Sequence, residues 1–391
     1  MSWRRAGATY GASHFGKSLL WTGSDLLPLY LLVSVYDVNP MTAGMLFLIG
    51  LAANALADLG VGIWLARFPR HAAMLAGGSL LLSGVTFPAT VLLAPWGTWA
   101  LLVPTLVFRI AYSACDVPHN TLLTRLGDTP ARAVCLARWR TAGTALASLL
   151  AAVVAGAGGI AAMAPLLWSI AAIGALIGSA MVPLLMAFPP TSSASPTRGA
   201  DRETTDGLPM PFLLASVIGI VAVSALAKTA LHLPPGWHRL SDNSTVLILL
   251  IAGRTISALL PIRLRTVHHG LTCLAVTYIM SAIVAAGFAL NAGPFMLVML
   301  GLAMGASNLI GWAILPMLAT GPRGYGLYTM TSKLALGMAG LALAGGLGSV
   351  ATFAPGGYVA FTLAVALACT VAALMLFPRL TPARVPGFSA R

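Results

Sequence analysis

Between Tyr112 and Arg140 the sequence reads YSACDVPHNTLLTRLGDTPARAVCLARWR, which sets the carboxylate of Asp116 inside an apolar run. At helical steps of three and four, Arg109, Tyr112, Asp116, His119 and Asn120 share one face of a helix. That stripe offers two chemistries. A carboxylate facing a guanidinium, for which Arg125, Arg132, Arg138 and Arg140 are the nearby candidates, can hold a polar solute through charge-assisted hydrogen bonds. An aspartate one turn from a histidine can instead work as an acid–base pair. The second reading has no nucleophile motif, metal cluster or nucleotide-binding loop beside it, and an enzyme is not expected. Pro118 lies within the stripe and cannot donate a backbone hydrogen bond, so the carbonyl of Ala114 loses its usual partner; such a carbonyl is tolerated where it lines a cavity.

Asp116 is one of ten charges that fall inside apolar segments: Asp25, Asp58 and Asp116 against Lys17, Arg109, Arg138, Arg140, Lys228, Arg254 and Lys333. Each costs about 2.5–3.5 kcal/mol at the centre of a spanning helix, so it needs a partner or a watery cavity. Snorkelling at helix ends accounts for Lys17, Arg138 and Lys228. It does not account for Asp58, Asp116 or Lys333, which are short or lie well inside their segments. Asn54 stands one turn before Asp58, Thr329 one turn before Lys333, and Ser18 two turns before Asp25. Polar stripes on several helices imply one shared hydrophilic cavity. Seven cations against three carboxylates favour an anionic or zwitterionic solute in it.

The elements that must position these residues follow from composition. The chain has 391 residues, 58% of them hydrophobic and 8% charged, with a single glutamate. Its mean hydropathy is +0.90. Soluble chains carry about a quarter charged residues, and apolar runs of this length read as membrane-spanning helices. Twelve are expected, at 17–37, 42–66, 71–94, 98–123, 131–159, 164–189, 211–233, 245–264, 270–290, 294–319, 325–353 and 356–377. The polar stretch TSSASPTRGADRETTDGLP divides them six and six. The expected plan is therefore an all-α membrane protein of two six-helix bundles, 1–189 and 210–391, joined by a linker loop at 190–209. This is the plan of the major facilitator superfamily.

The net charge of +13 invites a nucleic-acid reading, which the positions of the charges reject. Fourteen of the 22 Lys and Arg fall in alternate loops or the tails, and the opposite loops hold only Arg239. By the positive-inside rule both termini are expected in the cytoplasm, the protein in the cell (inner) membrane, and the basic charge set against lipid. No removable signal peptide is apparent. The four cysteines and seven histidines show no metal-ligand spacing, and no cofactor or metal is expected. Asp116 and Arg140 are 24 residues apart, as Asn308 and Lys333 are 25 apart, a faint echo of internal duplication.

Three segments, YGASHFGKSLLW, YDVNPMTAGMLFLIGLAANALADLGVG and the stretch quoted first, resemble the glycoside–pentoside–hexuronide:cation symporters, the melibiose permease-like family. The likeness runs through the first five helices and returns at TMTSK in the eleventh. It implies sugar binding by Asp116 and Arg140 with Lys17, and by Asn120 where the family has an aromatic residue. It implies a cation site from Asn54, Asp58, Ser113, Thr329 and Lys333. The chain departs from the family at Ser18, Asn54, Leu59 and Ala66, where aspartates or a proline would stand. Galactoside recognition and sodium coupling are the properties those departures weaken.

The reading that follows is a monomeric secondary transporter of a small polar organic solute (a sugar, a uronide or another small acid) working by alternating access. Lys17, Asp25, Tyr112, Asp116, Asn120 and Arg140 are expected at the substrate, with Asp116 facing Arg140. Loss of one aspartate to Asn54 points to a proton rather than sodium as the coupling ion, carried by Asp58 with Asp25 in reserve. A transporter-like sensor or scaffold without transport, and a membrane-embedded enzyme, are the alternatives.

Overall fold

A computed structural model describes residues 1–156, 160–190, 208–232, 243–290, 293–319, 321–347 and 355–377. Among these residues are twelve long helices in chain order. They are α1 (Trp3–Ser34), α2 (Pro40–Arg67), α3 (Ala72–Leu92), α4 (Thr98–Leu126), α5 (Pro130–Gly156) and α6 (Ile160–Gly178, resumed as Met181–Ala187), followed by α7 (Met210–His232), α8 (Asn243–Ser257), α9 (Val267–Leu290), α10 (Pro294–Leu318), α11 (Pro322–Leu347) and α12 (Pro355–Leu376). No strand occurs among the described residues. Among the described residues, eight helical segments are long and apolar enough to cross a membrane; they do not include α1, α5 or α11, which carry Lys17, Arg140 and Lys333. Residues 191–207, the bulk of the expected linker, lie outside the described residues.

Local chemistry sets the helix ends. Asn39 caps α2, its side-chain oxygen accepting from the amides of Met41 (2.9 Å) and Thr42 (3.4 Å), with Pro40 in the first helical position. The sixth span breaks at Ser179–Ala180 because Pro183 brings no amide to bond back to Ser179. Two expected bounds need correction. Helix α1 starts at Trp3, not at 17, and the Trp3 indole donates to the carbonyl of Leu126 at 2.9 Å. Arg4, Arg5, Ser13 and His14 lower the hydropathy of that first half without opposing helix. Helix α8 stops at Ser257, not 264: Pro261 clashes with a helical carbonyl four residues back and disfavours helix at Leu260.

Helices α1 to α6 pack on one another, and α7 to α12 do likewise. Two seams join the halves: α2 lies along α11, and α5 lies against α8 and α10. The first seam is close because it is glycine on glycine. A methyl added at Gly62 would meet the Pro322 carbonyl at 2.9 Å and the Gly326 Cα at 3.2 Å. The burial pattern is inside-out relative to a soluble domain. Leu56, Trp99, Leu176 and Leu259 are each at least 70% exposed, while Lys17, Asp58, Asp116, Arg140 and Lys333 are at most 6% exposed. Apolar side chains outside and charges inside suit a hydrocarbon surround.

Candidate functional site

Four buried charges from four helices form a chain. The Lys17 ammonium on α1 donates to the Asp116 carboxylate on α4 and reaches the Asn120 side-chain oxygen at 3.4 Å. The second oxygen of Asp116 lies 3.8 Å from the Lys333 ammonium on α11. Lys333 in turn pairs with Asp58 on α2 at 2.6 Å. Lys333 therefore bridges the two halves, one aspartate on each side of it belonging to the N-terminal six helices. Its ammonium also stands 5.3 Å from the centre of the Trp21 ring and 5.6 Å from that of Tyr112.

Two sequence expectations change here. Lys17 does not snorkel: with α1 beginning at Trp3, it sits near the middle of a 32-residue helix and is 1% exposed. Asp116 does not face Arg140 directly, because the two lysines take its oxygens. Arg140 instead donates to the Asn120 side-chain oxygen at 2.7 Å and to the Tyr10 hydroxyl at 3.0 Å. Its guanidinium carbon lies 3.6 Å from the centre of the Trp312 ring, a cation–π contact across the α5–α10 seam. Among the described residues no carboxylate is within ion-pairing distance of Arg140.

Of the expected cation-site residues, Asp58 and Lys333 meet. Asn54 and Ser113 are instead spent on joining α2 to α4. The Asn54 amide donates to the Arg109 carbonyl, and the Ser113 hydroxyl donates to the Asn54 carbonyl at 2.9 Å. The Thr329 hydroxyl donates to its own helix, at the Tyr325 carbonyl, at 2.9 Å. The Asn54 side-chain oxygen is buried with no protein partner.

The polar stripe of α4 splits between surroundings. Arg109 turns away to the Ser24 carbonyl (3.1 Å) and to the rings of Trp21, Phe47 and Phe108. The His119 ring bonds to the Ser13 hydroxyl at 3.0 Å and stacks on Tyr10 at 4.7 Å, so no hydrogen bond joins it to Asp116 in an acid–base pair. Arg138 donates across the seam to the Leu260 carbonyl at 2.6 Å. The side chain of Lys228 lies outside the described residues.

A cavity of about 370 Å³ lies between the halves. Its lining includes Lys17, Asp25, Tyr112, Asp116, Arg140 and Lys333 from the expected set, together with Arg254 and Asn308. Asp25 is half-buried and makes no direct ion pair among the described residues. Asn120 lies behind the wall, bonded to Lys17 and Arg140. From mid-helix the lining continues toward the C-terminal ends of α1, α5, α7 and α11. Toward the opposite end the halves close. The Thr124 and Tyr325 hydroxyls meet at 2.7 Å, and Arg138 holds the α8–α9 connection. The sequence reading missed Trp312, Tyr10 and His14. For Trp312 a signal existed: it stands one turn after Asn308, to whose side-chain oxygen its indole donates at 3.1 Å.

No family profile and no curated protein matches the sequence. Solved structures match the whole fold. An E. coli fucose:proton symporter aligns with TM-score 0.66 at 14% identity over 97% of this chain and 99% of its own. The human organic anion transporter called TETRAN aligns at 0.62 and 14%, over 96% and 100%. A proton:xylose symporter aligns at 0.64 and 12%, over 96% and 94%. At such identities the likeness concerns architecture, and it agrees with the helices described above: this chain is a multi-pass helical membrane protein with the major facilitator superfamily fold.

Proposed function

We propose that the protein is a secondary transporter that carries a small polar organic solute by alternating access, coupled to protons. The observation that carries this reading is the cavity between the halves, with buried charges on its wall and one end closed by contacts between the halves. Charges at that depth cost more than packing requires, and a solute that must cross is what they would serve. The proteins of similar structure, proton symporters of fucose and xylose and an organic anion transporter, support transport as the class. Kinship to the glycoside–pentoside–hexuronide:cation symporters rests on the sequence motifs around Lys17, Asp58, Asp116 and Arg140.

Within this reading residues 1–189 and 210–391 are the two moving halves and 190–209 the linker, with both termini in the cytoplasm of a cell whose inner membrane holds the monomer. Lys17, Asp116 and Arg140 hold the solute, supported by Tyr112 and Asn120, and Asp25 guards the open end. Asp58 carries the proton, answered by Lys333. Asn54, Ser113 and Thr329 support that pair, their donors bonded to backbone carbonyls and their oxygens still able to accept.

The test is uptake into proteoliposomes. Asp116→Asn and Arg140→Ala should abolish uptake while leaving the protein inserted and monodisperse. Near-normal uptake by both variants would refute the site assignment. A wild-type protein that binds solute and never accumulates or exchanges it would favour the sensor reading.

A further inference from the structure

We propose that the solute is a small organic monoanion with an apolar or aromatic body, its carboxylate seated on Arg140 and its body lying over Trp312 and the apolar wall of α7 and α8. The inference rests on reading the cavity as the substrate site and narrows what that site accepts.

The charge count comes first. Lys17, Lys333 and Arg140 face only Asp58 and Asp116 in the connected chain, which leaves one positive charge. Arg254 and Asp25 also line the cavity, with no direct ion pair between them among the described residues. The surplus resides on Arg140. It is 6% exposed, lines the cavity, and among the described residues has only neutral partners and none for its buried Nε. A buried guanidinium with unspent donors calls for an anion, and a planar carboxylate matches its fork. Lys17 and Lys333 already flank the Asp116 oxygens, so that carboxylate is not open to an ammonium group.

The rest of the wall sets the body. Ile220, Val223, Leu247, Leu250 and Ile251 line the cavity from α7 and α8. Many of its hydroxyls have spent their protons on their own helices. Thr22 donates to the Ser18 carbonyl (2.7 Å), Ser148 to Thr144 (2.9 Å), Ser307 to Met304 (3.1 Å) and Ser332 to Tyr328 (2.9 Å). The Asn308 oxygen is taken by Trp312. A sugar carries hydroxyls on almost every carbon and loses affinity wherever one is buried unpaired. These wall hydroxyls can still accept from a sugar but have no proton left to donate to it. An aromatic or aliphatic acid asks only for donors at one end and apolar surface elsewhere.

Purified protein in detergent, titrated by thermal melting and tryptophan fluorescence, tests this with four probes: benzoate, benzamide, glucuronate and galactose. Benzoate should bind saturably, at least about tenfold more tightly than benzamide or galactose, and more tightly than glucuronate. Arg140→Gln should lose the preference for benzoate over benzamide, with Arg140→Lys keeping part of it. Should Arg140→Gln fail to fold, Trp312→Leu must weaken benzoate while leaving its preference over benzamide. Galactose binding best, benzamide matching benzoate, or no acid binding at all would overturn the proposal; glucuronate binding better than benzoate would overturn the apolar body. Binding needs no gradient, so the two readings fail separately. Carboxylate binding without uptake sinks transport alone, and uptake of a neutral sugar without carboxylate binding sinks this inference alone.

Discussion

Asp116 holds two lysines from different helices, and that makes it the costliest residue to remove. Without it Lys17 keeps only a 3.4 Å contact to Asn120, whereas Lys333 retains Asp58 at 2.6 Å. Removing Lys17 instead leaves Asp116 near Lys333, at 3.8 Å. Breaking a buried pair from one side costs about 3–5 kcal/mol, and replacing both members with apolar residues of similar size is close to neutral. Asp116→Leu should therefore destabilise more than Lys17→Met, and the double variant should recover most of the melting temperature while remaining unable to bind solute. Equal losses that simply add in the double variant would mean the pair is not the energetic unit described. At this scale the sequence told which residues were charged and deep but not who faced whom. Partner choice depends on the rotation of α1 against α4, which no spacing within either helix records. Hence the sequence pairs Asp116 with Arg140, whereas in the structure its first neighbour is Lys17.

The α2–α11 seam is where helix packing governs opening. Gly62 and Gly326 let the two backbones approach within contact, and a bulkier residue at either would collide with main chain rather than with a side chain that can swing away. Gly326→Leu should wedge the closed end apart and favour the opposite opening. A cysteine at Ser224, on the cavity wall, should then react with a maleimide about tenfold more slowly when the four native cysteines are replaced. An unchanged rate would show that this seam does not set the equilibrium. Helices were the most legible level, because long apolar runs have no other stable form in lipid. The errors have physical causes. Hydropathy measures transfer and not helix propensity, so the first 14 residues of α1 went unread. Pro261 and Pro183 were visible, but their breaks fall inside apolar runs that averaging bridges.

Charge across the whole molecule decides what a membrane potential can do. If one monoanion enters with one proton carried on Asp58, no net charge crosses in a cycle. A potential acts on each translocated charge with about 2.3 kcal/mol per 100 mV, roughly fiftyfold in rate or accumulation. Asp58 suits the carrier role by position. It is fully buried at the seam between the halves, and its partner Lys333 also neighbours Asp116, so a carboxylate arriving at Arg140 changes the field that both aspartates feel. Both seams meet the cavity through that chain of charges. The measurement is uptake of a labelled carboxylate that passes the binding test, driven separately by a pH gradient, a sodium gradient and a potassium-diffusion potential. Accumulation should follow the pH gradient, ignore sodium, and change less than about twofold with the potential. Asp58→Asn should lose gradient-driven accumulation while keeping exchange of labelled for unlabelled solute, because the proton site is gone and the carboxylate seat remains. Sodium-driven accumulation without proton movement, or proton-driven accumulation undiminished in Asp58→Asn, would show that the coupling ion or its carrier lies elsewhere.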